Sequence, residues 1–128
     1  MLEIEVELEN HESKEYGIKL LQSPDNREET LFYYDNNRNS LLCDNTKSSI
    51  DSDPSIKITG GKLDLKDENL KLHIFIDHSQ IETYANKQKN LTRRAYPKLI
   101  ESIGIEIWAD NDVKVKSMKV WRLNSIFN

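Results

Sequence analysis

The sequence is short of several things at once. A single cysteine, Cys43, rules out an intrachain disulfide and leaves no second thiol for a zinc site. Lying in the apolar stretch Ser40 to Cys43, it is expected to be a buried small hydrophobe. Basic surplus is missing too: 18 Lys and Arg stand against 22 Asp and Glu, for a formal charge of -4. Such a chain lacks the positive excess that releases counterions from a phosphate backbone, so general nucleic-acid binding is not expected. No run of 18 uncharged apolar residues occurs. The first eight residues alternate Glu with aliphatic residues, where a signal peptide would carry a basic segment and an apolar run. Neither a membrane span nor a signal peptide is expected within these residues. Hydrophobic residues reach only 37% and charged residues 31% of a 128-residue chain, which implies one domain with a thin core and a heavily solvated surface. A two-layer structure suits such a core, and the length suffices to close it without a staple.

What is present is alternation. Leu2, Ile4, Val6 and Leu8 are separated by Glu3, Glu5 and Glu7, the period-2 pattern of a strand with one buried face. Tyr16 to Gln22 reads as a second strand, ended by the turn sequence Ser23-Pro24-Asp25-Asn26. Thr30 to Tyr34 and Ser40 to Asp44 form a hairpin closed by Asp35 to Asn39. Residues 45–61 are polar and contain Pro54; they are expected to be the most mobile loop, with Ile56 and Ile58 as a short edge strand. Leu70 to Ile76 and Ile81 to Ala85 flank a tight corner, Asp77-His78-Ser79-Gln80. Leu91 to Tyr96, then Ile103, Ile105 and Ile107, then Val113, Val115 and onward to Trp121 and Leu123 complete nine to eleven strands. No segment reads as an amphipathic helix. The expected fold is all-β, a two-sheet antiparallel sandwich of lectin-like type, with Ile74 and Ile105 in its core. Charge is sparse around Leu31 to Tyr34 and Leu41 to Cys43.

Several groups invite a chemical reading. Asp77, His78 and Glu82 cluster at one hairpin, and two carboxylates beside an imidazole can perform glycoside hydrolysis if they line a cleft. The structural alternative is an Asp that caps turn amides, which needs no substrate. His11, His73 and His78 lack the spacing of a metal site, and His73, between Leu72 and Ile74, should face outward as a surface residue. Asp44, Asp51, Asp53, Asp64 and Asp67 do not follow a calcium-loop spacing. Tyr33, Tyr34, Tyr84, Tyr96, Trp108 and Trp121 form either a sugar-stacking platform or sandwich core.

Leu72-His73-Ile74-Phe75-Ile76-Asp77-His78-Ser79-Gln80-Ile81-Glu82 resembles the L-x-I-F-V-D-R-S-S-I-E signature of the C-terminal domain of glycoside hydrolase family 32. Leu91-Thr92-Arg93-Arg94-Ala95-Tyr96-Pro97 resembles that family's T-S-R-I-Y-P stretch, and Val120-Trp121-Arg122-Leu123-Asn124-Ser125-Ile126-Phe127 its terminal V-W-x-L-x-S-I-W. The resemblance implies that Asp77, Ser79, Glu82, Arg94, Tyr96, Pro97 and Trp121 are structural signature residues and that none is catalytic. In the family, which includes invertases, sucrose-6-phosphate hydrolases, levanases and inulinases, the catalytic carboxylates lie in an N-terminal five-bladed propeller. Its W-M-N-D-P-N-G, R-D-P and E-C motifs do not occur here. The implied partner is that propeller of the same parent protein, and the charge-poor meander of Leu31 to Tyr34 and Leu41 to Cys43 is expected to form part of the contact with it. A homodimer and weak carbohydrate contact are further expectations, with no cofactor, metal, nucleic acid or membrane. The implied role is that of an accessory domain of a β-fructofuranosidase; a freestanding fructan-binding sandwich is the alternative.

Overall fold

The computed structural model describes residues 1–50 and 58–122, so Ile56 and the segment from Leu123 to Phe127 lie outside the described residues, as do residues 51–57 of the loop expected to be mobile. Ten strands and no helix occur among the described residues. In chain order they are β1 (Leu2–Asn10), β2 (Glu15–Gln22), β3 (Thr30–Asp35), β4 (Ser40–Asp44), β5 (Ile58–Lys62), β6 (Leu70–Asp77), β7 (Gln80–Ala85), β8 (Lys89–Arg94), β9 (Gly104–Ala109) and β10 (Val113–Arg122). They make two five-stranded sheets, β10-β1-β6-β7-β8 and β5-β4-β3-β2-β9, paired antiparallel throughout. The expected sandwich is therefore what the chain forms.

Alternation decides which side of each strand is sealed. In the first sheet Ile4, Val6 and Leu8 of β1 stand opposite Ile74, Leu72 and Leu70 of β6, and all six are buried. The second sheet answers with Tyr16, Ile18, Leu20, Phe32, Tyr34, Leu41 and Cys43. Each such side chain removed from water contributes about 1.5 to 3 kcal/mol, which is what offsets the entropy of ordering the strands. Tyr34 keeps its hydroxyl satisfied by donating to Leu63 O at 2.9 Å. Cys43 is free and buried, and burial pushes its thiol up to about 12, so it packs as the expected inert hydrophobe.

Two expectations need correction. The inward side chains of the β3 and β4 meander, Phe32, Tyr34, Leu41 and Cys43, are core, so only its outer face, with Leu31, Tyr33 and Leu42, is left to meet another domain. Low charge at the four inward positions marks the interior. Ile105 is only partly buried and packs against the rim of the core, since β9 is the edge strand of its sheet.

β10 contains a third departure. Its register against β1 shifts between Glu7 and Leu8: Leu8 pairs Val115 while Glu7 pairs Ser117, so Lys116 is the extra residue of a β-bulge. Val115 therefore shares the inward face with Met118 and Val120, and Trp121 is turned to the outer face. Simple alternation from Val113 places Trp121 on the inward side, and the bulge reverses it.

At one end of the sandwich the loops close on a single buried acid. Glu28, fully excluded from solvent, accepts hydrogen bonds from Ile50 N (2.8 Å), Lys98 N (2.8 Å), Leu99 N (2.9 Å) and Ser102 Oγ (2.7 Å). Burial raises the carboxyl, but these four donors outweigh it and hold Glu28 at about 2, below its ordinary 4.5. A buried charge is tolerated here because every lone-pair direction that matters has a donor.

Two outcomes follow from this packing. Ile74→Ala, at a fully buried site, is expected to cost roughly 2 to 5 kcal/mol, whereas Ile105→Ala costs about 1 kcal/mol; chemical denaturation of both variants measures the difference. The depressed Glu28 contributes stability that is fully present above pH 4.5 and lost as pH falls towards about 2. Glu28→Gln should lower neutral-pH stability by roughly 2 to 4 kcal/mol and flatten that acid limb, read from denaturation midpoints across the same pH range.

Candidate functional site

With the inward face of the first sheet consumed by the core, its outer face is what remains for chemistry. Strand register sorts it into rows. Trp121, Glu3, Phe75 and Glu82 lie side by side across β10, β1, β6 and β7, and the next row holds Lys119, Glu5, His73 and Tyr84. A third row brings Ser117, Glu7 and Lys71 together. Rings and carboxylates therefore alternate across the first row as cross-strand neighbours about 5 Å apart, while β1 presents an unbroken column of carboxylates, Glu3, Glu5 and Glu7, beside the rings of β6.

Phe75 sits at the centre of a ring cluster, 4.6 Å from His73 and 6.3 Å edge-on from Tyr84 between centroids. His73 Nε2 lies 2.6 Å from Glu3 Oε2 and 3.6 Å from Glu5 Oε1. This confirms the outward reading of His73 and adds what its sequence spacing hid: one nitrogen and two carboxylates converge from β1 and β6. Those three atoms could serve a divalent cation. In the described structure the imidazole is instead paired with Glu3.

Around these rings runs an open trough of about 870 Å³, floored by Phe75, His73 and Tyr84 and walled by Glu5, Glu7 and Lys71. It joins at Phe75 and Tyr84 a smaller depression of about 370 Å³ that reaches Asp77 and Glu82. The far wall is pinned by amides. Asn69 Nδ2 donates to Glu7 Oε2 at 2.8 Å, Asn86 Nδ2 to Asn69 O at 2.7 Å, and Lys71 N to Asn86 Oδ1 at 2.8 Å.

The signature residues scatter around this face. Asp77 ends β6 with its side chain 60% exposed and 3.8 Å from His78 Nε2, and among the described residues no turn amide donates to its carboxylate. The conformation of the corner is carried by His78, at φ 54°. Ser79 acts through its backbone: its carbonyl accepts from Ala95 N at 2.8 Å, which ties the corner to the end of β8 beside the Gln80 and Arg94 pair. Glu82 is half-buried and accepts from Tyr84 OH at 3.5 Å. Asp77 and Glu82 share the smaller depression, but it is open to water and holds neither at a fixed pairing with the other, unlike a hydrolytic pair. Arg94 and Tyr96 are exposed, and half-buried Pro97 precedes the Lys98 and Leu99 amides that bind Glu28. Trp121 is 39% exposed.

The six aromatics do not form one platform. Tyr34 is core, Tyr33 and Trp108 meet edge-on at 6.1 Å on the outer face of the second sheet, and Tyr84 finds Phe75 on the first. Tyr33 and Trp108 face one another across Gly17, whose neighbour Phe32 O would lie 2.0 Å from any Cβ placed there. The aspartates of the calcium reading are also dispersed: Asp44 accepts from Thr46 and Asp64 from Lys66 N, while Asp51 and Asp53 lie outside the described residues.

Comparison with known proteins places this arrangement. Residues 1–122 match the family described as glycosyl hydrolases family 32, C terminal. A bifunctional 6(G)-fructosyltransferase/2,1-fructan:2,1-fructan 1-fructosyltransferase of Allium cepa is 30% identical over 88% of this chain and 21% of its own length. Beta-fructofuranosidase 1 of Zea mays is 29% identical over 88% of the chain and 19% of its own. The chain thus spans about a fifth of the length of these curated relatives. Among solved structures, a fructosyltransferase from A. japonicus superposes with a TM-score of 0.80 at 22% identity, covering 93% of this chain and 22% of the other. Chicken galectin 2 shares the sandwich at a TM-score of 0.67 and 14% identity, over 94% of this chain and 89% of the galectin. With the first sheet, the corner at His78 and the stretch through Pro97 all inside the matched residues, the chain belongs to the C-terminal domain family of family 32 glycosyl hydrolases.

Proposed function

We propose that this chain is the non-catalytic accessory sandwich of a β-fructofuranosidase and that it supports a catalytic five-bladed propeller carried by the rest of a parent protein. The observation that carries this reading is the uncovered inward face of β10. Val115, Met118 and Val120 point to the side that β1 seals against the second sheet, yet they are 44%, 38% and 47% exposed. A strand of a sandwich does not leave three apolar side chains in water without cost, and such a surface usually meets a partner. Contacts between domains of one chain cover on the order of 600 to 1,500 Å², which an edge strand of this length and its neighbours can supply. The lysines at 114, 116 and 119 discourage uncontrolled strand addition along the same edge.

The family match supports the C-terminal position, and the fructosyltransferase and fructofuranosidase relatives support a β-fructoside as the parent's substrate. Within this chain the carboxylates nearest to a glycosidase arrangement, Asp77 and Glu82, stand in an open depression. The chain's contribution is then mechanical: it holds a neighbouring domain through β10 while its own core keeps that strand in place.

On this reading the purified chain releases no reducing sugar from sucrose, sucrose-6-phosphate or inulin above a buffer control. Release that disappears in Asp77→Asn or Glu82→Gln would replace the accessory role with a catalytic one. In sedimentation velocity the isolated chain should self-associate with rising concentration, and a separately supplied propeller should suppress this. Met118→Lys should abolish both effects, and a strictly monomeric wild-type chain that ignores the propeller removes the supporting role.

A further inference from the structure

The trough on the outer face of the first sheet has no part in the docking assigned to β10, because Met118 and Val120 face the other side of the sheet. We propose that it is a binding site for a neutral oligosaccharide, with Tyr84 as the stacking ring, held edge-on by Phe75, and Glu5, Lys71 and Lys87 as hydroxyl partners.

The occupant is argued by exclusion and by fit. The trough lies in the middle of a sheet whose backbone groups are already spent on β1, β6 and β7 pairing, so an incoming peptide strand finds no ladder to join. An anion meets Glu5, Glu7 and Glu68 against Lys71 and Lys87, an acidic balance that disfavours phosphate or sulfate. An organic polycation finds the carboxylates partly committed, Glu3 to His73 and Glu7 to Asn69. A purely apolar ligand would strand the charges that separate the rings.

A sugar meets each requirement. Its C–H face lies on an aromatic ring, its hydroxyls donate to carboxylates and accept from ammonium groups, and it carries no charge to oppose the surface. Both kinds of partner are on hand: the Lys71 and Lys87 ammonium groups make no ion pair among the described residues, and Glu5 is in loose contact only, 3.6 Å from His73. The volume of about 870 Å³ falls within the range of small-molecule clefts. The site is also built in advance. Edge-on packing fixes Phe75 and Tyr84, and the Asn69 and Asn86 hydrogen bonds fix the wall that carries Glu7 and Lys71.

The test is titration of the full 128-residue chain, isotopically labelled, with 1-kestose and separately with lactose, followed by amide and aromatic resonances. Saturable shifts confined to Phe75, Tyr84, His73 and Glu5, at a dissociation constant on the order of 1 to 10 mM, are expected for at least one sugar. Tyr84→Ala, at a 38% exposed position, should weaken that binding by roughly tenfold while leaving the resonances of Ile4 and Ile74 in place. Four results overturn the proposal: no shift with either sugar at about 100 mM, shifts centred on another surface, affinity unchanged in Tyr84→Ala, or trough resonances that respond only to dilution or to Mn²⁺. Dilution alone would identify a second copy as the occupant, and Mn²⁺ alone would make Glu3, Glu5 and His73 a cation site. None of these outcomes bears on the propeller, whose docking is read at β10.

Discussion

A single carboxylate organises the end of this sandwich. Glu28, in the connection between β2 and β3, gathers donors from the loop after β4 and from the connection between β8 and β9, so three chain segments far apart in sequence meet at one anion. Removing the charge takes one acceptor from the Ile50, Lys98 and Leu99 amides and the Ser102 hydroxyl together. The stretch from Leu91 to Pro97 is best understood through this contact. It runs along β7, receives the Ser79 carbonyl at Ala95, turns at Pro97 and delivers two backbone amides to the acid. Its constraint is positional: the amides of Lys98 and Leu99 must arrive with both N–H groups directed at one side chain.

Between that clasp and the two sheets, inside and outside are assigned strand by strand. The first sheet spends one face on the core and presents on the other a lattice of rings, carboxylates and lysines. The second sheet spends its inward face likewise and keeps only the Tyr33 and Trp108 pair as a notable outer feature. A β-sheet holds cross-strand side chains at fixed spacing with no mobile loop involved, so the trough inherits the rigidity of the core beneath it. At β10 the same sheet projects past its cover, and the surface changes from polar lattice to apolar face at one strand.

Much of this was legible in the sequence because period-2 alternation is strong wherever one face is dry. The strand from Ser40 to Asp44 and the alternating positions of β1 and β6 match their expected places, and β8 begins two residues earlier than its apolar pattern implies because Lys89 and Asn90 pair as backbone. Three things were not legible, each for a physical reason. Glu28 looks like any loop acid, since its partners are backbone amides and a serine hydroxyl up to 74 residues away in sequence. The β-bulge at Lys116 breaks the parity on which any placement of Trp121 rests. The trough is a cross-strand object: Glu5, His73 and Tyr84 adjoin through register alone. The meander is a related case, because sparse charge signals exclusion from water without saying whether a core or a partner excludes it.

The position of β1 also shapes how the chain reaches its fold. It occupies the second place in its sheet, yet its neighbours, β6 and β10, begin at Leu70 and Val113. No local hairpin can stabilise it. Its pairing must close long loops before any contact rewards the entropy spent, which places the chain among slowly folding, high-contact-order topologies. During synthesis the β2, β3 and β4 meander can collapse on its own while Leu2 to Asn10 remains an unpaired strand with one apolar edge in water. The acidic residues at 3, 5, 7 and 9 then have a use before the native state exists: they keep that waiting strand soluble and mutually repelling until its partners emerge.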